Sequence, residues 1–330
     1  FNTATGWMEV QKRIRKSNNW ERMIKILSYA AAVLVPVFFV GISLKYTTHD
    51  YSSNKSVLIA QPILPGAAKA ILTLDNGETI NLNKETADAL QTIEGTNIQI
   101  DSTTLNYQLA QSTSVSPKPV YNKVEIPRGG EYALVLSDGT KVHLNSMSSL
   151  RFPVAFTTGK REVELQGEAY FEVSKTGQPF IVNANGIQVE VLGTTFNISA
   201  YPDEEYQTTL VNGSVKVSAE KGESLILKPS QQATIALGSN SIQVRTVDTS
   251  FYTSWVKGKI NFKDQRLEDI MKTLSRWYDM NVVYENEKLK NIRFGCNLNR
   301  YEEITPFVKL LEKTEEVHVK IEGNTITFHN

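Results

Sequence analysis

Between Glu131 and Val217 lie eight short stretches in which apolar side chains recur at every second position, a pattern that no helix can gather onto one face. Residues 131–136, 141–144, 162–165, 169–173, 180–182, 187–191, 208–211 and 214–217 all carry it. Between them lie "TTGK", "KTGQP", "NANG", "YPDEE" and "VNGS", and "EKGES" follows, each holding residues that tight turns require. Strands this short, turning this often, fit either an all-β sandwich or a short β-solenoid. The chain is therefore expected to be mainly β.

One β motif occurs twice. "LTLDNGETINLN", Leu72 to Asn83, returns as "LVLSDGTKVHLN", Leu134 to Asn145. Each copy alternates about a turn with Gly, Asp75-Asn76-Gly77 or Ser137-Asp138-Gly139, which is a hairpin signal. Two copies are too few for a repeat array, which needs about three to close a core.

Ahead of the β region, residues 26–44, "ILSYAAAVLVPVFFVGISL", form a run of nineteen without a charge. At about 1.5 Å per residue this spans a hydrocarbon layer of roughly 30 Å, so a transmembrane helix from Ile26 through Leu44 is expected. Pro36 within it is tolerable, because membrane helices re-satisfy the carbonyl it frees. Lys12, Arg13, Arg15, Lys16, Arg22 and Lys25 precede the run, whereas only Lys45 and Lys55 follow closely. This asymmetry places residues 1–25 in the cytoplasm and the rest outside. A cleaved signal peptide is the alternative, but the run is long for one and "KYTTHDYS" offers no small-residue cleavage pattern.

The expected organisation is a cytoplasmic stub (1–25), a span (26–45), a linker (46–66), a hairpin extension (67–119), an all-β domain (120–257) and an α+β domain (258–330). In the last of these, Leu267, Ile270, Met271, Leu274, Trp277 and Tyr278 repeat at helical spacing, and residues 304–311 form a second amphipathic helix. With the intervening strands the order is βαββαββ. Trp255 and Trp277 read as core residues.

Little in the sequence points to catalysis. There is no P-loop, Rossmann glycine pattern, nucleophile elbow or zinc spacing. The four histidines, His49, His143, His318 and His329, are scattered. No metal or cofactor is expected. Glu162, Glu164, Glu168 and Glu172, beside Lys160 and Arg161, have the alternate spacing of a solvated sheet face rather than of an acid–base pair. Thirty-five basic residues balance thirty-five acidic ones, so no field draws nucleic acid, and no direct contact with it is expected. The single cysteine, Cys296, reads as a small apolar strand residue.

The run "VEIPRGGEYALVLSDGTKVHLNSMSSLRFPVAF", with "KREVELQGEAYFEVSKTGQPFIV", "VEVLGTTFNISAYPDEE" and "LKPSQQATI", resembles the periplasmic domain of the FecR family. The tail from Gly258 resembles the domain that closes FecR-type regulators of Bacteroidetes, a relative of the short N-terminal domain of secretins and TonB-dependent receptors. The resemblance implies a single-pass inner-membrane anti-sigma regulator. Its exported part would receive the periplasmic signalling domain of a TonB-dependent, SusC-like outer-membrane transporter. A cytoplasmic N-terminal domain would hold an extracytoplasmic-function sigma factor. Twenty-five residues are short for that domain and Phe1 is no initiator, so an upstream segment is expected. The first hairpin copy is expected to add strands to the same β structure.

Two sets of site residues follow from the resemblance. The signalling domain would add a strand at an open sheet edge, either "IRFGCNLN", with Ile292, Phe294 and Asn297, or the last strand, with Thr325, Ile326, Thr327 and Phe328. The alternative is that these edges are covered within the domain. Some relatives cleave themselves at a Gly-Thr bond, which makes Gly193-Thr194 the corresponding pair here; its alternative is a tight strand junction without chemistry. A rival from another class is a structural or transport component of an envelope complex that uses the secretin-like tail for assembly.

Overall fold

The computed structural model describes residues 62–83, 90–93, 96–109, 119–157, 159–220 and 222–330. The expected span, with Ile26, Pro36 and Leu44, lies outside the described residues. Among those described, no helix is long and apolar enough to cross a membrane.

Alternation builds a two-layer β-sandwich. The first sheet runs, in spatial order, through Thr79–Leu82, Ala70–Thr73, Tyr121–Glu125, Ser149–Pro153, Arg161–Glu172, Phe180–Ala184, Ile187–Val191, Val215–Ser218 and Ser224–Leu227. The second runs through Leu90–Ile93, Thr96–Ile100, Thr104–Leu109, Gly130–Val135, Lys141–Leu144, Arg161–Glu172 again, Thr195–Ala200, Tyr206–Asn212, Gln231–Ile235 and Gln243–Thr246.

Arg161–Glu172 belongs to both layers. Its first half pairs with Ser149–Pro153 and Phe180–Ala184, its second with Lys141–Leu144 and Thr195–Ala200. The crossing falls at Gly167, whose φ of 86° lies in the left-handed region, and a Cβ there would stand 2.5 Å from Ser148 Oγ. From Phe180 onward successive hairpins alternate between layers, first sheet then second, twice over. The molecule is thus a sandwich threaded like a coil, and for that reason the sequence suited both architectures.

The repeated hairpins lie in different layers. The first copy, Ala70–Thr73 with Thr79–Leu82, extends the first sheet beyond Tyr121–Glu125, while the second, Gly130–Val135 with Lys141–Leu144, belongs to the second. Both turns are locked alike. Asn76 Oδ1 accepts from the Glu78 N–H and Asp138 Oδ1 from the Thr140 N–H, each at 2.9 Å. Between the layers Leu72, Leu134, Val142, Phe171, Phe180 and Phe196 are fully buried, with Phe171 stacked on Phe196 at 5.1 Å. Each contributes about 1.5–3 kcal/mol of burial.

After the short turns Ser250–Thr253 and Ser254–Lys257 the chain takes the βαββαββ order. The elements are Lys259–Arg266, helix Leu267–Trp277, Asn281–Tyr284, Arg293–Asn299, helix Thr305–Glu312, His318–Glu322 and Thr325–His329. The first helix buries Leu267, Ile270, Met271, Leu274 and Trp277. Glu268 and Asp269 in its first turn and Arg276 in its last suit the helix dipole. Among the described residues Lys259–Arg266 pairs only with Arg293–Asn299; Thr325–His329 lies between Asn281–Tyr284 and His318–Glu322.

Candidate functional site

The α+β region packs on the outer face of the second sheet, where alternation turns Asn197 and Glu168 away from the sandwich core. Three polar side chains stand side by side there. Glu168 accepts from Asn145 Nδ2 at 2.7 Å on one oxygen and from Asn197 Nδ2 at 3.0 Å on the other. The far ends of both amides are taken from the opposite side. Asn145 Oδ1 accepts from Arg300 Nη2 at 2.6 Å, and Asn197 Oδ1 accepts from the Trp255 indole N–H at 3.2 Å.

Arg300 is 2% exposed. Its guanidinium lies 3.7 Å over the Trp277 ring, its Nε stands 3.2 Å from Glu131, and its carbonyl accepts from the Trp277 indole at 2.6 Å. Tyr301 donates to the same Glu131 at 2.9 Å. Arg276 stacks on Tyr201 at 3.8 Å and pairs with Glu204. Arg128 completes the contact from the sandwich side, pairing with Asp279 at 2.9 Å and donating to the carbonyls of Ser275 and Met280. Burial pushes the Glu168 carboxyl above its ordinary pKa, against the pull of Asn197, Asn145, Arg276 and Arg300.

Asn145, Glu168, Asn197, Trp255 and Arg300 themselves line a cleft of about 610 Å³ between the two regions. Asp203 and Glu205 stand on its sandwich wall, Lys259, Lys263 and Lys272 on the other. Among the described residues no group of His, Cys, Asp and Glu is placed to hold a metal ion.

The two expected edges differ. Thr325–His329 is the middle strand of its sheet, hydrogen-bonded on both sides, and Ile326 and Phe328 are fully buried. The expectation that Thr325, Ile326, Thr327 and Phe328 form an open edge is therefore corrected: both sides of that main chain are already used. Among the described residues, Arg293–Asn299 has one partner strand. The bonds Arg300 N–H to Gly258 O and Leu267 N–H to Ile292 O set the parity of that ladder, so Arg293, Gly295 and Asn297 turn their main-chain groups outward. Ile292 and Phe294 are half-buried, and Asn297 is exposed. Cys296, half-buried on the same strand, has its thiol pKa pushed up to about 11 by burial, which leaves it protonated.

Gly193 and Thr194 fall at the junction into Thr195–Ala200. The Thr194 hydroxyl donates to the Ser214 carbonyl at 3.0 Å, and its carbonyl accepts from the Val173 N–H. These bonds tie two strand junctions together, and self-cleavage would require the hydroxyl to leave Ser214.

Comparison with known proteins bears on both regions. Residues 122–216 match the FecR protein family, and residues 259–328 match the family of FecR C-terminal domains. The chain belongs to the FecR family. FecR is a regulatory family rather than an enzyme family. Two crystal structures of a candidate anti-sigma factor from Parabacteroides distasonis, at 1.65 and 2.50 Å resolution, are similar to this FecR chain. They share 26% and 25% identity with it, each with a TM-score of 0.59, over 63% and 64% of this chain and 98% and 99% of their own. No curated protein matches.

The sequence reading missed the network between the two regions. Asn145, Glu168, Asn197 and Arg300 are far apart in the chain, and each is a residue type that belongs on a surface. One signal was available. Of the four tryptophans, only Trp255 and Trp277 follow residue 20, and both stand at this contact.

Proposed function

We propose that this FecR chain is a single-pass inner-membrane anti-sigma regulator whose exported part receives a signal from an outer-membrane TonB-dependent transporter. Residues 26–44 would anchor it with the N-terminus in the cytoplasm, where an upstream domain would hold an extracytoplasmic-function sigma factor. The observation that carries the reading is the pairing, in one chain and in order, of the two FecR domains, with a strand edge on the second that is unpaired among the described residues. The likeness to a candidate anti-sigma factor supports it. An open edge takes an added strand through main-chain hydrogen bonds, which suits a small signalling domain offering a strand of its own.

The test is calorimetric titration of residues 58–330 with the signalling domain of the transporter encoded beside this gene. Micromolar or tighter binding is expected. Asn297→Pro removes one outward N–H, which an edge strand tolerates, and should weaken that binding at least tenfold while the fold persists. Absence of binding by the parent protein would overturn the reading.

A further inference from the structure

Arg293–Asn299, the strand with the open edge, leads directly into Arg300. Arg300 reaches across to the sandwich, its guanidinium donating to Asn145 and standing beside Glu131, while within the α+β region its carbonyl takes the Trp277 indole and its N–H donates to Gly258 O at 2.8 Å. From Asn145 the bonds pass to Glu168, from Glu168 to Asn197, and from Asn197 back across the contact to Trp255. Glu168 holds Asn145 and Asn197 in one row, so the bonds that Arg300 and Trp255 make to their far ends share one support and are coupled, although Asn145 Oδ1 also accepts from the Ser146 N–H.

We propose that this circuit is a latch, and that strand addition along Arg293–Asn299 releases it. The coupling half rests on the docking reading above; the latch half does not. A two-stranded ribbon is more strongly twisted than a wider sheet, and Lys259–Arg266 with Arg293–Asn299 is such a ribbon. A third strand flattens it and swings the end of Arg293–Asn299. Arg300, one residue beyond that end, is held at 2.6 Å by Asn145 and at 3.7 Å by the Trp277 ring, and packed contacts of this kind yield by switching rather than by stretching. Released, the α+β region leaves the outer face of the second sheet, and Asn145, Glu168 and Asn197 meet water.

Both tryptophans of residues 58–330 belong to the circuit, so they report on it without background. Incorporation of 5-fluorotryptophan gives two fluorine resonances in a protein of residues 58–330. Asn145→Ala lies outside the docking strand and breaks the circuit in its middle. It is expected to shift both resonances toward solvent-exposed positions and to make acrylamide quenching more efficient, with latch opening on the order of tenfold more frequent, the effect of one lost buried hydrogen bond. Unchanged circular dichroism would show the sandwich intact. Wild-type resonances in Asn145→Ala would overturn the latch.

Titration of the labelled wild-type protein with the unlabelled signalling domain then tests the coupling. Both resonances are expected to move in the direction seen for Asn145→Ala. Calorimetric binding with neither resonance moving would overturn the coupling and leave docking in place. No calorimetric binding would overturn docking and coupling together, and the latch would stand or fall by Asn145→Ala alone.

Discussion

Arg161 and Asp138 face each other inside the sandwich: Nη1 and Oδ2 are 2.6 Å apart, with the side chains 1% and 7% exposed. Asp138 belongs to the turn of the second hairpin copy, and Arg161 opens the strand that joins the layers. Arg161 also donates to the carbonyls of Ser174 and Gln178, so one guanidinium ties three segments. Removing one partner of a buried pair strands the other charge, at about 3–5 kcal/mol. Asp138→Asn is expected to lower the urea midpoint accordingly with an unchanged slope. The double replacement Asp138→Leu with Arg161→Met should recover much of that loss, since no charge is then left alone. A double variant as unstable as the single one would show that the Arg161 carbonyl contacts or the Asp138 bonds from Thr140, not the ion pair, carry the cost.

Gly167 and Gly77 have nearly the same backbone, φ 86° and 85°, in different surroundings. A Cβ on Gly77 meets nothing within 4 Å, whereas one on Gly167 would stand 2.5 Å from Ser148 Oγ and 2.7 Å from Ser148 Cα. Gly77→Ala should therefore cost only the left-handed strain, about 1–2 kcal/mol. Gly167→Ala adds the displacement of Ser148, whose hydroxyl also accepts from the Glu168 N–H. Its loss in thermal unfolding should be at least twice that of Gly77→Ala. Equal losses would mean that the crossing strand bends elsewhere.

Thr194 gives a third stability test. Thr194→Val keeps the shape and removes the hydroxyl that donates to Ser214 O. The Ser214 carbonyl then loses that partner, and about 1–3 kcal/mol is expected in denaturant unfolding. An unchanged midpoint would mean that water replaces the hydroxyl.

These residues show what pattern alone can reveal. Period-two alternation identified the strands, leaving sandwich and solenoid both open, because a strand face is a local property, and helical spacing identified Leu267–Trp277 for the same reason. Arg161 escaped because a buried arginine keeps the alternation of the apolar residues beside it, Val163 and Leu165, while chemically it resembles its exposed neighbours. Glu168 escaped differently. Alternation put it on the outer face, which is where it lies, but that face is covered by a region more than eighty residues further along. Thr325–His329 was one of two candidate edges, with a covered edge as the alternative. Insertion between two earlier strands depends on tertiary order, for which short strands carry no local signal.

Glu168 also gives the contact between the two regions a pH dependence of definite sign. Burial raises its carboxyl pKa above the ordinary 4.5, so between the unfolded and folded values the native protein holds more protons than the unfolded one. Stability from this group is therefore fully present below about 4.5 and declines as pH rises through the folded value. Other ionisable groups also contribute to the wild-type curve, so that curve alone is not diagnostic. Glu168→Gln removes the titration and keeps the size of the side chain. It loses one good contact, because its NH2 must face one of the two asparagine amides. The stability of wild type minus that of Glu168→Gln, from urea unfolding at steps between pH 4 and pH 8, should be largest at the acid end and fall toward neutrality. Parallel curves would show that Glu168 titrates as freely in the native protein as in the unfolded chain, and hence that the α+β region does not hold it from water.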